Sequence, residues 1–214
     1  SIAIYLGVIW AGCTVVGIAD SFASDEIRSR IDLAEPIIVF TQDVVRRDGK
    51  IIPLYERIKE ADGPTAVVLP ESRDPSRNSL RNGDIHWHEF IVKGSVDCVV
   101  CRSTDFTNIL FSSGTTGVPK AIPWDHITPI KCAMDAYFHH DISPGEIVAW
   151  PTNLGWMMGP WLIYGSLINR ATIALYYGSP TTSGYIDFVR DSKVNMLGTI
   201  PSIVRTWREK NIFK

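Results

Sequence analysis

Short apolar runs alternate with longer segments of helical periodicity along almost the whole chain, and this alternation constrains the fold more than any other feature. Apolar runs of about four to eight residues are typical of buried strands, whereas apolar residues spaced three and four apart are typical of helices. The alternation predicts βαβ units. We therefore expect an α/β fold with a mostly parallel sheet and helices on both faces.

The same patterns give the individual elements. The predicted strands are residues 14–18, 36–40, 66–69, 108–111, 147–150, 172–175 and 196–197. The predicted helices are residues 2–10, a segment that begins near 24 and is closed by Pro36, and residues 127–138, 160–168, 184–191 and 201–210. Residues 71–83 are polar and lack periodicity, so they predict a surface excursion.

Length and charge exclude several classes of protein. The chain has 214 residues, of which 45% are hydrophobic, enough for one large or two small soluble domains with a substantial core. Its 21 Lys and Arg are balanced by 23 Asp and Glu, and no long run of like charge occurs. A protein that binds duplex nucleic acid carries a basic patch or stripe, so we expect no nucleic-acid partner.

Residues 1–19 carry no charged side chain, which by length alone invites a membrane span or a signal peptide. No basic segment precedes the run, however, and three glycines at positions 7, 12 and 17 interrupt it. We therefore predict a buried helix, a glycine break and a short strand, and no membrane span. A chain that opens within a predicted helix and without Met is expected to be a fragment.

Four cysteines without a secretory signal predict free thiols in a reducing compartment. Cys98 and Cys101, with His86 and His88 upstream, have the ligand types of a zinc site. A second Cys-x-x-Cys is absent from the sequence, and the valines between the two thiols form a strand-like apolar run. We therefore expect no metal ion bound by these side chains.

Residues 111–124, FSSGTTGVPKAIPW, form a small, hydroxyl-rich loop with one Lys. Glycines accept positive φ, so the backbone amides after Phe111 can converge on one point. Together with the hydroxyls and Lys120 they would form an anion cradle, for which phosphate is the usual ligand. Gly114 and Gly117 are too close together for a Walker A loop. A polar surface hairpin that binds nothing remains the alternative.

The segment SSGTTGVPKA resembles the phosphate-binding signature of the adenylate-forming acyl-CoA synthetases, and every constrained position of that eleven-residue pattern is matched from Phe111 to Ala121. The stretches YLGVIWAGCTVVGIADSFASDEIRSRIDLAEPIIVFTQD, PTNLGWMMGPWLIYGSLINRATI and TIPSIVRTW are similar to further segments of the same superfamily in the same order. Their details are most similar to plant peroxisomal acyl-activating enzymes and acetyl-CoA synthetase-like members. The resemblance implies that residues 1–214 are part of the large N-terminal AMP-binding domain. The later part of that domain and the C-terminal domain would be absent.

The resemblance also implies a reaction and a site. A carboxylic acid and ATP, with Mg²⁺, would give an acyl-adenylate and pyrophosphate, and the acyl group would then pass to CoA. The predicted phosphate-binding residues are Ser112, Ser113, Gly114, Thr115, Thr116, Gly117 and Lys120, with Thr116 closest to Mg²⁺ through the phosphates. Trp156, Met157 and Met158 would line the acyl pocket, with ordinary core packing as the alternative. No catalytic residue is assigned, because the catalytic Lys of the superfamily belongs to the C-terminal domain.

Three hypotheses about the whole protein follow. The first is an ATP-dependent acyl-CoA synthetase, with the isolated 214 residues inactive. The second is an adenylation domain that uses another acceptor, such as a carrier-protein thiol or oxygen. The third is a non-catalytic nucleotide-binding module. The expected location is intracellular, in the peroxisome or alternatively the cytoplasm.

Overall fold

Parallel pairing joins most of the strands in the computed structural model, which describes residues 1–47, 49–71, 79–112 and 118–212. The helices are α1 (Ile2–Trp10), α2 (Ser24–Ala34), α3 (Leu54–Glu60), α4 (Trp87–Phe90), α5 (Thr128–His140), α6 (Met158–Ile168), α7 (Ser183–Asp191) and α8 (Pro201–Glu209). The strands are β1 (Val15–Val16), β2 (Ile38–Gln42), β3 (Val45–Arg47), β4 (Lys50–Ile52), β5 (Thr65–Leu69), β6 (Ile85–His86), β7 (Phe106–Ser112), β8 (Lys120–Asp125), β9 (Ile147–Ala149), β10 (Thr172–Ile173) and β11 (Met196–Leu197).

The described strands form three small sheets and one separate hairpin. Strand β5 lies between β2 and β6, and β9 lies between β10 and β11, with every neighbour parallel. Strand β7 pairs parallel with β1 and antiparallel with β8, while β3 and β4 form an antiparallel hairpin. The predicted α/β fold with mostly parallel pairing is confirmed, although the strands divide into several sheets.

The N-terminal apolar run forms the predicted helix, glycine break and short strand, but the helix is not buried as predicted, because Tyr5 is its one buried residue and Trp10 is 56% exposed. Helix α1 ends before Gly12, whose φ of 73° favours glycine, and β1 follows after a short turn. Within the described residues, no helix is both long enough and apolar enough to cross a bilayer.

The largest buried cluster surrounds α6, which is apolar on every face. Leu162, Ile163 and Tyr164 of α6 pack with Ala136 of α5 and Val148 of β9. A helix that is hydrophobic all round is expected in the interior of a domain. Helix α6 is therefore the central element of this buried cluster, and the predicted acyl-pocket residues lie at its N-terminal end.

A second cluster joins α2, α3 and β5, and a buried carboxylate fastens it. Asp84 accepts hydrogen bonds from the Ala66 amide at 2.8 Å, the Tyr55 hydroxyl at 2.7 Å and the Arg81 guanidinium at 3.1 Å. Burial raises the pKa of the Asp84 carboxyl, but these three donors outweigh that effect and hold the pKa below its usual range. Asp84 thus ties the loop before β6 to α3 and β5.

The sequence analysis missed the hairpin of β3 and β4 and the helix α3. Arg46, Arg47 and Lys50 make these two strands look like a polar loop, and their pairing depends on a turn through Gly49, which has a φ of 75°. The apolar run at residues 98–101, which was not among the predicted strands, lies in a segment without regular secondary structure. The backbone of this segment instead packs on the end of α1, where the Val99 amide donates to the Trp10 carbonyl.

Candidate functional site

The predicted phosphate loop connects the two strands of an antiparallel hairpin. Ser112, the last residue of β7, pairs with Lys120, the first residue of β8. The register therefore brings the first and the last of the predicted phosphate-binding residues opposite each other. The five predicted residues between them, Ser113, Gly114, Thr115, Thr116 and Gly117, lie outside the described residues.

Lys120 supplies the positive charge at the loop end of this hairpin. Its side chain is exposed, and no carboxylate in the described ranges forms an ion pair with it. On the return side of the loop, Val118 and Pro119 line a small cavity against Ser29 and Leu33 of α2. The hairpin thus presents an accessible cation beside a hydroxyl, an arrangement that suits an anionic ligand.

A buried hydrogen-bond network holds β7 in place. The Asn108 Oδ1 atom accepts hydrogen bonds from the Tyr164 hydroxyl at 3.4 Å and from Thr107 Oγ1 at 3.1 Å. The hydroxyls of Tyr5 and Tyr164 lie 3.0 Å apart. Burial raises the pKa of both tyrosines, so both hydroxyls stay protonated at neutral pH. The strand that presents Ser112 is therefore fastened to α1 and α6.

The Gly-Trp segment before α6 lies directly on the turn that follows β1. A Cβ atom at Gly155 would lie 2.2 Å from the Ala19 amide nitrogen, and one at Gly17 would lie 2.5 Å from the Leu154 carbonyl oxygen. Any side chain at either position would overlap backbone atoms. The two glycines therefore allow a contact between backbones.

The three predicted acyl-pocket residues divide between two surroundings. Trp156 packs its ring against Phe22, with the ring centroids 5.5 Å apart. Met157 and Met158 instead line a cavity of about 370 Å³ at the N-terminal end of α6. The structure thus brings the two methionines together at one cavity and places Trp156 outside its lining.

Three tryptophans that the sequence analysis did not select form much of this cavity's wall. Trp124 of β8, Trp161 of α6 and Trp150, which follows β9, all line it. The rings of Trp150 and Trp161 meet edge to face with centroids 5.7 Å apart. A Cβ atom at Gly198 would lie 1.8 Å from the Trp150 ring, so only glycine leaves room for that ring. No local pattern in the sequence connects these three tryptophans.

Helix α5 supplies the polar groups of the cavity. Asp135 accepts a hydrogen bond from the Trp161 indole at 3.0 Å, and His140 meets the same indole edge to face. Burial raises the pKa of the Cys132 thiol to about 11, so the thiol is neutral near pH 7. The cavity is therefore mainly apolar, and its polar lining consists of Lys131, Cys132, His140 and the Asp135 carboxylate, which already has a partner.

The candidate zinc ligands do not assemble. The rings of His86 and His88 stack with centroids 5.4 Å apart, and Cys98 is exposed in the irregular segment. Over the described parts of the chain, no three or more His, Cys, Asp or Glu residues lie close enough together to hold a metal ion.

Comparisons with known proteins give a matching family and several relatives. The family described as "AMP-binding enzyme" matches residues 1–214. The chain is 51% identical to a hexanoyl-CoA synthase of Cannabis sativa and 50% identical to a probable peroxisomal acyl-activating enzyme 17 of Arabidopsis thaliana. Each alignment covers 99% of the chain and 30% of the relative, so the chain spans about a third of the length of these relatives.

A solved structure shows the same fold. An acetoacetyl-CoA synthetase from Streptomyces lividans superposes with a TM-score of 0.84 over 98% of the chain and 33% of that enzyme. The sequences of the two are 24% identical, so this likeness concerns the fold alone.

Proposed function

Because the chain belongs to the AMP-binding enzyme family, we propose that it is the part of an ATP-dependent acyl-CoA synthetase that binds the triphosphate of ATP and one side of the acyl group. One observation carries the proposal. The hairpin of β7 and β8 sets Ser112 opposite Lys120 at the two ends of the signature, with the ammonium group exposed and, within the described residues, in no ion pair.

The proposed reaction has two steps. A carboxylate oxygen attacks the α-phosphorus of ATP, the bond to the β-phosphate oxygen breaks, and acyl-adenylate and pyrophosphate form. The CoA thiolate then attacks the acyl carbonyl carbon, AMP leaves, and a thioester results. Negative charge develops on the phosphate oxygens in the first step, so fixed donors around them lower the barrier.

The chain's own residues would supply those donors. Lys120 would contact phosphate charge, and the Ser112 hydroxyl would contribute a hydrogen bond. The residues from Ser113 to Gly117 would wrap the β- and γ-phosphates with their amides and hydroxyls, and Thr116 would lie closest to Mg²⁺. The metal ion, when bound with ATP, would neutralise phosphate charge.

The cavity beside α6 fits an apolar acyl chain. Its volume of about 370 Å³ is roughly ten times the ~30 Å³ that one water occupies in the liquid, so it has room for a chain of several carbons. Met157 and Met158 are unbranched and polarisable, which suits an adaptable wall. The contact of Trp156 with Phe22 favours a packing role for that indole.

Replacement of Lys120 tests the phosphate site. In the complete protein, Lys120→Ala should slow acid-dependent exchange of ATP with pyrophosphate by about 10²- to 10³-fold, the usual effect of losing one donor to developing charge. Lys59→Ala is the matched control, because Lys59 is a surface lysine of α3 that pairs with Glu56. An exchange rate in Lys120→Ala equal to that of the control would refute the assignment.

Replacement of the methionines tests the acyl site. Met157→Ala and Met158→Ala enlarge the cavity, so the ratio of kcat/KM for longer against shorter straight-chain acids should rise. A change of one methylene in an apolar pocket is worth about tenfold or more. Met134→Ala is the control, because Met134 lies on α5 outside the lining of the cavity. An unchanged preference in both cavity variants would contradict the assignment.

A cellular location is part of the proposal. Two of the relatives carry "peroxisomal" in their names, which supports a peroxisomal protein. A fluorescent fusion of the complete protein that leaves its natural termini free should colocalise with a peroxisomal marker. Diffuse cytoplasmic fluorescence would favour the cytoplasm instead.

A further inference from the structure

Arg30 of α2 is a buried cation that lacks a close ion pair within the described residues. The residue is only 6% exposed, and its Nε atom has no hydrogen-bond partner in the described parts of the chain. Its Nη1 atom donates to the Glu26 backbone carbonyl at 2.6 Å. The Glu26 carboxylate accepts from the Ala23 amide at the start of the helix. Among the residues that the structure describes, Arg30 forms no ion pair.

Two aromatic rings face the Arg30 guanidinium. Its central carbon lies 3.7 Å from the centroid of the Phe22 ring and 5.7 Å from that of Phe111. A buried charge is costly unless its surroundings compensate for lost water, and aromatic faces do so in part through cation–π attraction. An aliphatic side chain would fill this space without the cost. The arginine at this position therefore has a role that packing alone does not explain.

The positions of the two rings indicate that role. Phe111 immediately precedes Ser112 at the end of β7, and Phe22 packs against Trp156 in the segment that leads to the cavity. Arg30 thus lies between the two parts of the candidate site and contacts a neighbour of each. Its planar guanidinium can lie against rings in a way that an ammonium group cannot.

We propose that Arg30 is a positioning residue that fixes the loop end of β7 relative to the Gly155-Trp156 segment. The effect of Arg30 on the reaction of ATP with the acid rests on the proposed function, because those two segments would hold the two reacting groups. The physical linkage between them does not depend on it. Misplacement of a reacting group by about 1 Å can cost on the order of 10²-fold in rate, so a linkage of this kind matters for adenylate formation.

Hydrogen exchange measured by mass spectrometry tests the linkage without any assay of activity. In the complete protein, Arg30→Met should speed amide exchange by about tenfold or more in peptides spanning residues 106–112 and 151–157, because a desolvated cation–π contact exceeds one factor of ten. Arg28→Met is the control, because Arg28 lies two positions away on α2 and its side chain is 44% exposed. Unchanged exchange in both peptides, or equal changes in the control, would overturn the proposal.

Arg30→Lys keeps the experiment decisive if Arg30→Met does not fold. The lysine retains the charge and loses the planar group. The amide exchange rates of both peptides should therefore be intermediate between those of wild type and those expected when the contact is lost completely. Wild-type exchange rates in Arg30→Lys would show that charge alone suffices and would overturn the stacking argument.

Kinetics then connect the linkage with the reaction. Per folded molecule, Arg30→Lys should lower kcat for ATP–pyrophosphate exchange by about tenfold and change KM for ATP much less, because alignment is lost while binding contacts remain. A kcat equal to that of Arg28→Lys would refute a role in alignment. If the wild-type protein shows no exchange with any acid, the proposed function fails, and the hydrogen-exchange result alone decides whether Arg30 links the two segments.

Discussion

Replacing Gly155 by Ala should force apart two backbone segments that now touch. The added Cβ would lie 2.2 Å from the Ala19 nitrogen, 2.7 Å from the Ala19 Cα and 2.6 Å from the Ile18 carbonyl carbon. Ordinary van der Waals contact begins at 3.4 Å, so the segments must separate by about 1.2 Å. All of these neighbours are backbone atoms, which cannot rotate away as the end of a side chain can.

This separation sets the expected magnitudes. Overpacking of a well-packed interior costs typically about 1–3 kcal/mol in the free energy of unfolding. The displaced segment carries Met157 and Met158 at the cavity, and a shift near 1 Å corresponds to roughly 10²-fold in rate. We therefore expect Gly155→Ala to fold with a lower Tm and to lose about two orders of magnitude in acid-dependent ATP–pyrophosphate exchange.

Two measurements on the complete protein check this prediction. Thermal unfolding followed by circular dichroism gives Tm, and exchange of labelled pyrophosphate into ATP gives the rate. Gly94→Ala is the control, because a Cβ at Gly94 would meet no atom within 4 Å, and its effect on stability should stay within about 0.5 kcal/mol. If Gly155→Ala has the same Tm and the same exchange rate as Gly94→Ala, the close backbone contact contributes neither to stability nor to the reaction, and the reasoning is refuted.

The remaining predictions concern stability and reactivity. Asp84→Ala should lower the free energy of unfolding at pH 7 by on the order of 3 kcal/mol, since three buried donors lose their acceptor. Because the folded pKa of Asp84 is depressed, its contribution is present above about pH 4 and is lost as the pH falls below that value, and urea titrations at pH 7 and pH 3 would show this difference. Cys132, buried with a pKa of about 11, should resist iodoacetamide at pH 8 while exposed Cys98 reacts, and equal alkylation of the two in mass spectra would contradict the structure. Since the unfolded thiol ionises near pH 9, stability should also fall between pH 9 and 11, and this loss should be smaller in Cys132→Ala, in which buried tyrosines such as Tyr5 and Tyr164 still contribute. Gly7→Ala should raise Tm, because alanine is favoured over glycine by up to about 1 kcal/mol in a helix interior and a Cβ at this position meets no atom within 4 Å.

The sequence predicted best those elements whose signal is local. Strands β5, β7 and β9 are contiguous apolar runs, and their existence follows from burial on both faces. The signature at residues 111–121 is equally local, so its place in the chain was predictable although five of its eleven residues lie outside the described residues. The hairpin of β3 and β4 was missed, because an exposed pair of short strands with charged side chains has the composition of a loop.

The residues that line the cavity could not be predicted from the sequence alone. Trp124, Trp150 and Trp161 come from three separate parts of the chain and meet only through tertiary packing. The separation of Trp156 from its two neighbouring methionines depends on where Phe22 lies, more than a hundred residues away along the chain. Resemblance to a family could assign the segment to a pocket, but the direction in which each side chain points depends on the folded structure.

The register of β7 and β8 fixes the two ends of the segment between them. A slip of one residue would pull the buried Thr107 hydroxyl away from the Trp124 carbonyl of β8, to which it donates at 3.1 Å. The two strands therefore hold Ser112 and Lys120 opposite each other before any ligand arrives. A ligand that binds between these two residues would not have to bring them together, which lowers the ordering cost of binding.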